Sequence, residues 1–244
     1  MDGILRCSRY AFGPNRLHYC GPDVNKTVRG YIGAGESDPG LSHILSKFQT
    51  LYPYLKRIAA TSRIADPFDD RVVEAYWIGN TLLDRVPGMR YIETLETLGA
   101  RKLLGGTAFS RVGEKLSKGG IPHHSFHVMN IWIGMKHEAL RQDWSSLGEC
   151  LVSWGKVLSV SGPFVTVETE PLSFDEKHGT FLLGAPIERK LVRNLSGDID
   201  MDLLSVGEWI TFHWGVPCEV IPEVKVRHLR SYTLRSIALA NMSL

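Results

Sequence analysis

The chain contains no run of about 18 consecutive apolar residues, so no segment reads as a membrane-spanning helix and a membrane is not among the expected partners. Cysteine is sparse. The four present, Cys7, Cys20, Cys150 and Cys218, have neither the density of a disulfide scaffold nor the close spacing of a Cys-x2-Cys metal hook. The opening Met1-Asp-Gly-Ile-Leu-Arg6 places no apolar stretch behind a basic head, so a bacterial-type cytoplasm is the expected compartment and thiols or ligands are the expected state of the cysteines. Charge is nearly balanced, with 28 Lys and Arg against 26 Asp and Glu, which gives no reason to expect nucleic acid as a partner. The glycine pairs Gly105-Gly106 and Gly119-Gly120 are not followed by Gly-Lys-Ser/Thr, so a phosphate loop is excluded as well.

What is present is a 244-residue chain, 43% apolar and 22% charged, long enough for two ordinary domains with real cores. The periodicity changes near Gly148. We therefore expect an α+β protein: residues 1–148 as a mainly α-helical domain, and residues 149–244 as a small OB-like β-barrel with a C-terminal helix. Residues 1–36 read as turn-rich, with turns at Phe12-Gly-Pro-Asn15 and Tyr19-Cys-Gly-Pro22. Ser37-Asp38-Pro39 then opens a helical pattern over Leu41 to Ala59, which Pro53 should kink or end. Asp66-Pro67 opens another in the same way, with Asp69 and Asp70 favouring the positive end of its dipole, Val72, Val73, Tyr76 and Trp77 as its apolar stripe and Glu74 expected to face water. Shorter helical patterns follow around Ile92 to Leu98, Phe109 to Leu116 and Ile131 to Leu147.

From Cys150 onward the pattern alternates. Lys156 to Val160 and Phe164 to Glu168, joined by Ser161-Gly-Pro163, give a hairpin signal, and Thr180 to Leu183, Ile187 to Val192, Trp209 to Val216 and Pro217 to Ile221 add further strands. Residues 194–202 read as an acidic connector. Val226 to Asn241 reads as the terminal helix, with Arg227, Arg230 and Arg235 on its polar side.

Two groups of residues carry chemistry. The first is Pro122-His-His-Ser-Phe-His127: on a helix His123 and His127 share one face and could reach one metal ion, while His124 points elsewhere unless the segment turns. Its further ligands would come from Cys20, His18, Glu74 or solvent. The same imidazoles could instead be hydrogen-bonded structural groups, or one could serve as a general base.

The second group is Cys150-Leu-Val-Ser-Trp-Gly-Lys-Val157 together with Val206-Gly-Glu-Trp-Ile-Thr-Phe-His-Trp-Gly215, which offers one thiolate, Cys150, and one imidazole, His213. A soft sulfur beside a borderline nitrogen suits iron, zinc or copper over magnesium or calcium. In Cys150, Gly155, Lys156, Val157, Val206, Gly207, His213 and Gly215 the chain resembles the HypC/HupF/HybG chaperones of [NiFe]-hydrogenase maturation, over its last two fifths. That resemblance implies an OB-like barrel that carries iron, with cyanide and carbon monoxide ligands, on Cys150 with help from His213. It implies a hydrogenase large-subunit precursor or a maturation protein as partner. The alternative expectation is a metal-dependent enzyme, with iron or another transition metal, centred on His123, His124 and His127 and with the barrel as a docking module.

Overall fold

A computed structural model describes residues 1–86, 88–132, 144–193 and 202–242. The first 36 residues, expected as turns, form two helices, α1 (Gly3–Asn15) and α2 (Asn25–Ala34). Asp2 caps α1 by accepting from the Leu5 N–H at 2.8 Å. Local propensity argues against a helix that holds two glycines and a proline. Burial decides otherwise: almost every α1 residue is buried, packed against later helices and the sheet, and tertiary packing routinely overrides propensity. The expected turn at Phe12-Gly-Pro-Asn15 is the last turn of this helix, with Pro14 inside it.

The pattern from Leu41 to Ala59 divides into α3 (Pro39–Ser46), capped by Asp38, and α4 (Leu51–Ser62). Pro53 ends nothing. It lies in the first turn of α4, where a missing N–H is harmless. α5 (Asp70–Trp77) carries Tyr76 and Trp77, and α6 (Gly88–Thr97), α7 (Ala100–Leu104) and α8 (Gly106–Ser117) follow. A single turn, α9 (His124–Phe126), then runs into a wider π-helical turn, His127–Trp132. The expected helix continuation at 133–143 and most of the acidic connector at 194–202 lie outside the described residues.

After α10 (Trp144–Cys150) the strands begin: β1 (Ser153–Ser161), β2 (Phe164–Thr169), β3 (Leu172–Asp175), β4 (Thr180–Leu183), β5 (Ile187–Val192), β6 (Trp209–His213) and β7 (Val216–Val220). α11 (Glu223–Asn241) closes the described chain. β1 pairs with both β2 and β6 in an antiparallel sheet of order β5-β2-β1-β6-β7, and the expected hairpin is β1–β2. Among the described residues no ladder joins β5 to β7, so barrel closure is not shown. β3 and β4 form a separate hairpin packed on α10 and α11 through Phe174, Phe181, Leu147 and Ile237.

The helical part and the sheet share one large apolar core, which takes in Tyr10, Tyr54 and Trp77 from the helices and Trp154, Cys218 and Ile221 from the strand half. An ion network fastens the same seam. The Arg6 guanidinium of α1 donates to both carboxylate oxygens of Glu219 on β7, at 2.7 and 2.8 Å, and pairs with Asp70 at 2.8 Å and Glu74 at 3.1 Å on α5. Glu74, expected to face water, is half-buried there and also paired with Lys225.

Candidate metal centre

α9 begins one residue later than the spacing of the histidines suggests. His123 is its N-cap, with extended backbone (φ −98°, ψ 148°), and it accepts from the Ser125 N–H at 3.2 Å. The helical register thus starts at His124, and the expected pairing of His123 with His127 on one face does not form. His123 stacks on Tyr232, with its Nδ1 2.7 Å from the Ser125 hydroxyl. His127 keeps its Nδ1 2.7 Å from the Tyr54 hydroxyl, so neither ring belongs to a common ligand pair.

His124 is the member of this segment that reaches a site. It meets Cys150 and His213: one ligand atom from each lies within 4.8 Å of the others. The expected thiolate and imidazole therefore converge, and a second imidazole joins them. His124 and His213 are buried and Cys150 is half-buried. The two rings meet edge to face at 5.1 Å. The other expected ligands are elsewhere: Glu74 is held in the Arg6 network, and His18 is exposed beside Asp23 at 3.6 Å.

Burial keeps the imidazoles neutral. It pushes His213 down to about 4, and it holds His124 well below the ordinary histidine range, with the neighbouring His213 adding to the shift. A neutral imidazole is the form that binds metal. It has one N–H and one lone pair, yet His213 faces two carbonyl oxygens: Tyr10 at 2.8 Å from Nδ1 and Cys150 at 3.0 Å from Nε2. The Tyr10 carbonyl has a specific need. Its helical partner would be the N–H of residue 14, and Pro14 has none. We therefore assign the His213 proton to Nδ1, donated to Tyr10, which leaves the Nε2 lone pair facing the Cys150 oxygen. That contact is repulsive as it stands, and a cation beside Nε2 would relieve it.

The Cys150 carbonyl also lies 2.8 Å from His124 Nε2, and His124 Nδ1 is 3.3 Å from the Tyr76 hydroxyl. Both ligand rings are thus oriented by groups behind them, as metal-bound histidines are. A soft sulfur and two imidazoles fit zinc, iron or copper, and three protein ligands leave a further position open. The three donors line a pocket of about 90 Å³ together with Tyr19, Cys20, Trp77, His127 and Trp214 among others. About one probe sphere of 10–15 Å³ is needed per water, so the space takes a few small molecules or diatomic ligands.

Trp214 is held unusually. It and Gly215 form the two-residue turn between β6 and β7, both left-handed, with φ 51° and 71°. Such a turn matches the strand twist, but a bulky residue at positive φ costs on the order of 1 kcal/mol. Three contacts hold it: Tyr19 stacks on the ring at 4.5 Å, Arg16 donates to its carbonyl at 3.0 Å, and its own N–H donates to the Glu149 carbonyl at 3.1 Å. The sequence patterns give Tyr76 only as part of an apolar stripe and Pro14 only as part of a turn, and assign no role at the site to Tyr10 or Trp214. A proline inside an otherwise buried helix, which strands one carbonyl, is the signal that points to Tyr10.

The profile of a family of unknown function, DUF6390, matches residues 1–244. The chain belongs to this family. No curated protein and no solved structure matches it. The DUF6390 match spans both halves of the chain, and so spans all three converging residues, His124, Cys150 and His213.

Proposed function

We propose that this DUF6390 protein binds one transition-metal ion through His124, Cys150 and His213 and acts as a carrier in metalloenzyme assembly, delivering an iron centre to a [NiFe]-hydrogenase precursor or a maturation partner. The observation that carries the reading is the convergence of Cys150 and His213, far apart in sequence, with His124 as a third donor. Three ligands, a neutral imidazole pair and an open position suit an ion that must later be handed on, because a receiving protein needs a coordination site to attack. The small aromatic-lined pocket suits small diatomic ligands on that ion. The resemblance of residues 150–215 to HypC-type chaperones supports the hydrogenase context and an OB-like reading of the sheet.

The test is anaerobic co-expression with hydrogenase maturation proteins, followed by infrared spectroscopy of the purified chain. Metal-bound cyanide and carbon monoxide bands that disappear in Cys150→Ala support the carrier role. Bands that persist in Cys150→Ala, or metal loading without any such bands, overturn it.

A second reading rests on His127, which lines the same pocket without belonging to the three-donor group. Beside a metal-bound water it could serve as a general base in a metal-dependent enzyme.

A further inference from the structure

The pocket lined by the three donors contains a second sulfur in its wall. Cys20 lies on the segment between α1 and α2, at residues 16–24, and lines the same pocket as His124, Cys150 and His213. It is half-exposed and not disulfide-bonded, and it is not one of the three atoms that already meet within 4.8 Å. The buried Tyr76 hydroxyl, 3.3 Å from His124 Nδ1, feels both the Cys20 and the Cys150 sulfur electrostatically, so both cysteines lie near one hydroxyl.

The segment is tethered without being packed solid. Asn15 donates from Nδ2 to the Cys20 carbonyl at 2.9 Å and to the Pro22 carbonyl at 2.7 Å, holding the backbone of the loop, while most of residues 16–23 are exposed. Tyr19 covers Trp214, so the residue before Cys20 is fastened to the turn that follows His213. Loop, turn and ligands are therefore linked mechanically. Cys20 shares a pocket of only about 90 Å³ with the three donors, so its side chain borders the same small space as theirs.

We propose that Cys20 is the fourth ligand of the metal centre, so that the site holding a bare ion is Cys20, Cys150, His124 and His213, closed by the loop at residues 16–24, and the position that takes a diatomic ligand opens when that loop swings away. This deepens the metal-carrier reading and rests on it. Each thiol gives its proton to solvent as its sulfur binds, and no electron is transferred. Tetrahedral two-sulfur, two-nitrogen coordination is a closed arrangement that holds zinc or iron(II) well, and release of one loop-borne ligand returns the three-ligand state from which an ion can be passed on.

Cobalt(II) titration of the full-length protein under anaerobic conditions tests this, because the near-ultraviolet sulfur-to-cobalt charge-transfer intensity counts thiolate ligands. Wild-type protein should bind one cobalt with an intensity that falls by half in Cys20→Ser, with binding retained, and by half in Cys150→Ser. One bound cobalt with unchanged intensity in Cys20→Ser overturns the proposal and leaves the three-ligand centre standing. No cobalt binding by wild-type protein overturns both. An independent measurement avoids the variants: alkylation of wild-type Cys20 by iodoacetamide, followed by peptide mass spectrometry, should slow at least tenfold with one equivalent of zinc. An unchanged rate in the zinc-loaded protein also overturns the proposal.

Discussion

Gly13 of α1 and His213 of β6 touch through their backbones: a Cβ built on Gly13 would lie 2.4 Å from the His213 carbonyl oxygen and 3.2 Å from the Trp214 Cβ. The absence of a side chain at one residue lets the helix come close enough for the Tyr10 carbonyl to reach the His213 ring. Gly13→Ala should destabilise the fold by about 1–3 kcal/mol, the usual cost of overpacking, and weaken metal binding with it. Gly113→Ala, in α8 with nothing within 4 Å of its added methyl, should be neutral or stabilising by up to about 1 kcal/mol. Urea unfolding of the two variants makes the comparison.

Pro14→Ala separates stability from ligand orientation. It supplies an N–H that competes for the Tyr10 carbonyl, so α1 should be no less stable, while His213 loses the acceptor that fixes its proton on Nδ1. Losing an outer partner of a metal-binding histidine commonly weakens affinity by about 10–100-fold. Cobalt affinity measured beside thermal unfolding should show that loss without a fall in melting temperature.

The histidines of the central segment should be distinguishable by metal content. His124→Ala should weaken metal binding by more than the roughly 10–100-fold cost of an outer-shell change. His127→Gln, which alters the contact with Tyr54, should retain the metal. Equal loss in both variants would contradict the assignment, and metal analysis after dialysis decides.

Acid should unfold the protein earlier than its carboxylates alone would. Burial pushes His123 down to about 3 and His127 and His213 to about 4, against an unfolded value of about 6.5. Above about pH 6.5 neither the folded nor the unfolded state binds these protons, and stability is at its full value. Between there and about pH 4 only the unfolded chain takes them up, so stability falls with pH, by on the order of 1 kcal/mol per pH unit for each histidine. A bound metal should oppose the fall. Denaturation at pH 7.0, 6.0 and 5.0, with and without zinc, reads both effects.

Arg6 should be the costliest single charge to remove. Arg6→Met leaves Glu219, which is 1% exposed, without its bidentate partner, and breaking a buried ion pair from one side costs about 3–5 kcal/mol. The double change Arg6→Met with Glu219→Leu should recover much of that loss, as measured by urea midpoints.

The elements with strong local signals were legible in the sequence: the cap at Asp38, the β1–β2 hairpin and the C-terminal helix stand where the patterns put them, whereas the helix expected to open at Asp66-Pro67 begins at Asp70 with Asp69 as its cap. α1 was not, because its stability comes from burial against residues some 200 positions away, and its glycines and proline locally argue for a turn. The candidate site was half legible. His213 lies in a strand whose alternation can be read, but Cys150, expected to lead into a strand, ends α10 before β1 begins at Ser153, and the choice among His123, His124 and His127 depended on where one helix begins. The extended backbone at His123 decided it, and no spacing rule contains that information.

The three donors come from α9, the end of α10 and the end of β6, across the seam where helices and sheet share a core. A site assembled this way cannot outlive the docking of the two halves. Metal occupancy would therefore report on assembly of the whole molecule: an ion present at a hundred times its dissociation constant adds about 2.7 kcal/mol to folding, and unloading leaves a chain that much easier to open or degrade.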